Sequence, residues 1–353
     1  MFFVDIIKII THNKYCVQNL ILIKLGVIMQ KLLFSLSIIS IGLIVGYIIQ
    51  KLVQKGTIKA DVNLTKQRKI LQKIALLALN PIATVGAIWI LSFDNVRIFF
   101  MPFIGLFAIL LGGFTSLLIG KILKLEPKQA GSFFSCGGMF NIGSIGALVV
   151  YIFLGESAFA LVPMYQLFEP IIYYTVWFPI AKSFSPDLQE VESRTQKLLK
   201  IISDPFVLVS LASILIGMLL NLLNIPRPAF YSTLNSFVIP TASLLLLISI
   251  GMAMKFSRIK AFMKPSIIIA IIKFLLIPVV ATGLAYLLGF GKMDDALPLK
   301  VILILTSMPV GFTALVPPSI YNLDIDLANA SWMLTTALLV VVIPLQMLII
   351  SFM

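Results

Sequence analysis

The sequence predicts an all-α membrane protein of ten transmembrane helices, arranged as two inverted five-helix repeats with helices four and nine broken. Three observations carry that prediction. Of the 353 residues, 60% are hydrophobic and 12% charged, with a mean hydropathy of +1.08, whereas a soluble domain carries about 25% charged residues. Lysine and arginine alternate between loops: eighteen lie after spans one, three, five and seven, against five on the opposite side from Met29 onward. The third observation is a pair of mid-span breaks at matching positions in the two halves.

Residues 1–28 form an atypical leader, because Asp5, Lys8, Lys14 and Lys24 cut its apolar runs, and Met29 is the more natural start of the body. The leader is expected to be an upstream extension or an interfacial arm. The first repeat then occupies 29–182, with spans near 31–50, 70–91, 98–122, 129–154 and 158–181. Asn80-Pro81 predicts a kink in the second span, since proline withholds a backbone donor. Residues 183–203 make a cytoplasmic linker. Its Ser185-Pro186-Asp187 start and apolar positions Leu188, Val191, Leu198 and Leu199 predict a short interfacial helix. The second repeat, 204–353, carries spans near 205–223, 232–254, 265–288, 296–321 and 327–352.

The positive-inside rule places the basic loops in the cytoplasm and both termini outside, in what is expected to be a bacterial inner (plasma) membrane. The net charge of +13 resides in those loops, so it reads as topology and not as a nucleic-acid surface. Two cysteines and one histidine suggest neither a disulfide framework nor a metal cluster, and no cofactor is expected. No histidine lies in a span, which removes the usual base for a serine nucleophile at Ser144. Lys273 is the one conceivable base for an intramembrane hydrolase, and the chain is not expected to be an enzyme.

Residues 130–146 hold five glycines, three serines and Asn141 inside an apolar span. Glycine weakens a helix by about 1 kcal/mol relative to alanine, and an opened backbone survives in hydrocarbon only where protein or water satisfies it. Gly137-Gly138 beside Asn141 therefore predicts a mid-membrane break, although small residues equally serve close helix packing. The ninth span repeats the signal as Ser307-Met308-Pro309-Val310-Gly311-Phe312-Thr313. Gly137 lies 106 residues after Lys31 and Pro309 lies 105 after Asp204, while Pro170 and Pro344 lie 139 and 140 after the same starts. Such matching favours the break, and an odd number of crossings inverts the second copy.

The run Gly138-Met139-Phe140-Asn141-Ile142-Gly143-Ser144-Ile145-Gly146 with Phe153-Leu154-Gly155 resembles the fourth-span pattern of the auxin efflux carrier family. Met308 to Thr313, Tyr321 to Asp324 and Ala328 to Thr335 resemble its ninth and tenth spans, and Asn80-Pro81 fits its second. The resemblance, which covers nearly everything from Met29 onward, implies ten spans whose broken helices four and nine cross at the substrate site. Carried over, it names Gly137, Gly138 and Asn141 in one half and Pro309, Gly311 and Thr313 in the other. Half-helices restarting near Ile142 and Phe312 would each present about +0.5 charge to a shared cavity, which favours an anion. Ser144 and Ser307 could add hydrogen bonds. Glu169, central in span five, is expected to be a proton-coupling residue or to pair with Lys273, and Lys273 to snorkel or attract the anion.

The expected function is a secondary transporter of a small organic anion, such as a carboxylate, working by alternating access. A sodium- or proton-coupled relative of the same plan is the alternative. The expected partners are the lipid bilayer, the anion and a second copy of the chain as a homodimer.

Overall fold

A computed structural model describes residues 2–57, 63–91, 93, 95–185, 203–254 and 259–353, with side chains from Gly26 onward. The expected interfacial helix of the linker lies outside these residues. Among the described residues every regular element is helical, and the sole β-type contact is one isolated bridge.

Among the described residues, seven helical stretches are long and apolar enough to cross a membrane: Gly26–Gln54 within α1 (Phe2–Gln54), α2 (Leu64–Ile88), α3 (Val96–Ile122), α7 (Pro205–Leu222), α8 (Phe230–Gly251), α9 (Ile259–Leu287) and α12 (Ile325–Ile350). The remaining three predicted spans are not continuous helices. Residues 127–154 form α4 (Pro127–Gly138) and α5 (Ile142–Leu154). Residues 156–165 make two short turns before α6 (169–182), and 297–320 form α10 (Leu297–Thr306) and α11 (312–320). Glu169 accordingly sits at a helix start and not inside a continuous span. Pro170 cannot donate to Gln166, whose carbonyl instead accepts from the Glu169 amide at 2.9 Å. Its counterpart Pro344 stays inside the unbroken α12.

Packing divides these elements into two groups. Helices α1, α2, α7 and α8 pack on one another, while α3, α4, α6, α9, α10 and α12 form the second group. Small residues set the closest approach inside the first group, where an added Cβ on Gly46 would lie 2.8 Å from the Gly251 Cα. Between the groups, α5 touches α1 and α8 of the first and α10 of the second. Large apolar side chains on the outside, such as Phe34, Leu215 and Leu219, are exposed, as a lipid-facing surface requires.

Side-chain contacts gather the connections at two ends. At one end, Arg227 pairs with Glu156 and the Trp89 indole donates to the Ile225 carbonyl at 2.7 Å. At that end too, Lys31 donates to the Phe153 carbonyl at 3.2 Å. At the other end, the Asp324 amide donates to the Lys128 carbonyl at 3.2 Å, and Arg68 Nε donates to the Ser249 carbonyl at 3.0 Å.

Among the described residues four π-turns interrupt the helices, at Ala75–Leu79, Ile142–Gly146, Tyr173–Trp177 and Ile272–Leu276. The first immediately precedes Asn80-Pro81, where a kink is expected. A π-turn inserts an extra residue and re-aims the side chains beyond it. The other three carry residues of the site.

Candidate functional site

The two interruptions meet. Phe140, between α4 and α5, and Val310, between α10 and α11, form an antiparallel bridge. The Gly311 amide donates to the Met139 carbonyl and the Asn141 amide to the Pro309 carbonyl, each at 3.0 Å. Two side chains complete the opened backbone. The Tyr173 hydroxyl accepts from the Phe140 amide at 3.2 Å, and Thr335 Oγ1 accepts from the Val310 amide at 3.1 Å. Every backbone donor from Phe140 to Asn141 and from Val310 to Gly311 is thereby satisfied, which is the condition for irregular backbone inside an apolar protein.

Gly137 and Gly138 are the last helical residues of α4, immediately before the break, and both are packing residues. A Cβ on Gly137 would collide with Ser116 Oγ, and one on Gly138 with the Trp177 indole. Close packing, the weaker of the two readings of these glycines, therefore describes the pair itself, while the opened backbone is Met139 to Asn141. Pro309 and Gly311 act through their backbones at the bridge. An added Cβ on Gly311 would lie 2.6 Å from the Phe140 carbonyl oxygen, so the strands can approach only with glycine there.

Lys273 does not snorkel. The π-turn at Ile272–Leu276 turns it inward, where it is 0% exposed. Its Nζ donates to the Met139 carbonyl at 2.8 Å and lies 3.2 Å from the centre of the Phe140 ring. Met139 oxygen thus accepts two hydrogen bonds, both from the second half of the chain. Glu169 and Lys273 form no ion pair within 4 Å; Gln166 Nε2 donates to Glu169 Oε2 at 3.1 Å, and Glu169 stays partly exposed.

Asn141 is 6% exposed, yet its Nδ2 has no hydrogen-bond partner among the described residues. Its Oδ1 accepts from Ser144 Oγ, which holds the amide plane in place. The first backbone bond of α5 runs from the Gly146 amide to the Asn141 carbonyl at 3.1 Å, so the amides of Ile142 to Ile145 have no intrahelical acceptor. An added Cβ on Gly143 would meet nothing within 4 Å, so open space adjoins these donors. Thr313 is exposed on α11, whereas Ser307 turns its hydroxyl back to the Leu303 carbonyl at 2.7 Å.

The structure therefore joins Asn141, Ser144, Pro309 and Gly311 at one crossing and adds Lys273 to them. It commits Gly137, Gly138 and Ser307 to packing and helix bonds. Tyr173 and Thr335, which close the opened backbone, and Trp177, which packs on Gly138, are neighbours of the crossing that the sequence did not single out. Their one available signal was the presence of polar or bulky side chains in spans next to the breaks.

A family model described as "Membrane transport protein" matches residues 28–347. An uncharacterized transporter of Methanothermobacter thermautotrophicus is 26% identical over 131 residues, 37% of this chain and 42% of that protein's length. The chain thus belongs to the membrane transport protein family of the auxin efflux carriers, and it is an integral membrane protein.

Proposed function

We propose that the chain is a secondary transporter that moves a small organic anion, such as a carboxylate, by alternating access around the crossing of α4–α5 with α10–α11. The observation that carries this reading is the buried, unpartnered Nδ2 of Asn141 beside the free amides that open α5. The groups left over at the start of α5 are donors, and a buried donor without an acceptor costs about 1–3 kcal/mol. An anion supplies that acceptor. In its ammonium form, Lys273 behind Met139 biases the crossing the same way. Asn141→Ala should weaken binding of a carboxylate such as benzoate by about 1–3 kcal/mol, a factor of about 5–150. Melting temperature should change little. Calorimetry on the purified variant checks both, and unaltered affinity would remove Asn141 from the site.

Ten crossings in two inverted halves form part of the same proposal. The grouping of contacts supports it: the start of α4 meets the loop before α12 at one end, while the turn after α5 meets the loop before α8 at the other. A broken segment that begins at one end and finishes at the other behaves as a crossing. Reporters fused at Gln189 and at Asp94 should therefore read cytoplasmic and external, respectively. Finding both on one side would defeat the inverted arrangement.

Proton coupling is the second reading, favoured by Glu169. Its carboxylate lies among Gln166 and Tyr173, and Tyr173 in turn holds the Phe140 amide of the crossing. A change of protonation at Glu169 would then act on the break through a single shared hydroxyl.

A further inference from the structure

Beneath α11, at the end of the molecule where Asp324 meets Lys128, lies a pocket of about 280 Å³ walled by Arg68, Phe312, Val316, Ser319, Asp326 and Asn329. It lies between the two packing groups, Arg68 coming from α2 and the other walls from α11 and α12. Arg68 Nε is committed to the Ser249 carbonyl near the C-terminal end of α8, a position that favours a cation. The guanidinium lies 5.2 Å from the centre of the Phe312 ring. Its two terminal amines have no hydrogen-bond partner and no carboxylate within 4 Å among the described residues. The Arg68 side chain is half-buried, so these amines are presented to the pocket from a fixed stem.

Phe312 is the first residue of α11 and directly follows Gly311 of the crossing. Arg68 stacks on the Phe312 ring, which also meets the Trp332 indole edge-on at 5.9 Å between centroids. That ring lines the pocket two residues after Val310 of the bridge. We propose that the pocket is an entry site for the transported anion: a monocarboxylate with an apolar body docks its carboxylate on the Arg68 terminal amines and its body on Phe312 and Val316. Paired N–H groups of a guanidinium match the two oxygens of a carboxylate, and the apolar wall accepts the rest. The Phe312 ring is the partition between this site and the crossing, and its displacement from between Arg68 and Trp332 admits the ligand.

The inference rests on the anion-transport reading, and its test separates the two. Purified full-length protein is treated with phenylglyoxal, and modification of Arg68 is followed by mass spectrometry with benzoate, succinate or chloride present. Benzoate should slow modification about tenfold at nine times its Kd, with succinate and chloride far weaker. The same protection should persist in Asn141→Ala, because that substitution leaves the pocket intact. In proteoliposomes, Arg68→Gln should raise the benzoate KM about tenfold with kcat nearly unchanged, and Arg68→Lys should restore only part of it. An Arg68 that resists phenylglyoxal outright, or equal protection by chloride, overturns the entry site. Loss of benzoate protection with the Asn141→Ala affinity effect intact also overturns it while leaving the transport reading standing. Absence of benzoate binding at both places overturns both.

Discussion

Lys273→Met is expected to abolish anion transport and to lower the melting temperature, whereas Lys273→Gln should keep the fold and still lose most of the transport. The two substitutions separate two jobs of one buried side chain. Nζ holds the Met139 carbonyl at 2.8 Å, and a hydrogen bond to a charged group contributes about 1.5–3 kcal/mol. Methionine removes that bond, although Gly311 still donates to the same oxygen. Glutamine has a donor of its own with which to pin the carbonyl, but it carries no charge. Arginine offers no conservative rescue, because the site is fully enclosed and extra volume in a packed interior costs about 1–3 kcal/mol. Carboxylate affinity, transport rate and melting temperature on the same three proteins decide the matter. Undiminished affinity in Lys273→Gln would reduce the residue to a peg that holds the break in shape.

Arg227→Met is expected to open the end of the molecule where α5 and α8 meet. Arg227 donates to both Glu156 oxygens and also to the Gly86 carbonyl at 2.9 Å, while Asn235 Nδ2 donates to the same carboxylate. Glu156 follows α5, in a turn that also packs on α10 of the second group, and the other three belong to α2, α8 and the turn before α8, so this cluster ties the two packing groups together. The side chains of the pair are only 12% and 14% exposed. Removing one member of a buried pair costs about 3–5 kcal/mol because the other charge is stranded. Separation of the groups hydrates that charge, so the cost appears as a shift of population by about 100-fold or more. Ala158, fully buried behind the pair, offers the readout. In a background lacking Cys16 and Cys136, Ala158→Cys should react slowly with an impermeant thiol reagent, and Arg227→Met should accelerate it by at least tenfold. A lower melting temperature with no gain in reactivity would make the pair an ordinary tertiary contact.

Much of the plan was legible in the chain because membrane burial and backbone breaks are local properties. Apolar runs about 20 residues long declare themselves by composition. Glycine and proline inside such runs mark where a helix cannot continue, and the helices do resume at Ile142 and Phe312. The motif around Asn141 also sufficed for the resemblance to the family that the chain belongs to.

What the tertiary structure alone decided concerns direction and partnership. Gly137 and Gly138 satisfy a break and a tight contact equally well as letters, and only the arrival of Ser116 and Trp177 from other helices assigns them to packing. Lys273, eight residues or so from a basic loop, was as suited to reach water as to turn inward. The π-turn at Ile272–Leu276 re-aims it, and an i to i+5 bond leaves no periodic mark in the sequence. The acceptors that close the opened backbone, Tyr173 and Thr335, stand 33 and 25 residues from the amides they serve. Arg68 and Ser249 are 181 apart. Sequence determines where a buried donor will be left without its helix partner; which distant side chain meets it depends on how the helices pack, because hydrogen bonds are satisfied in space and not along the chain.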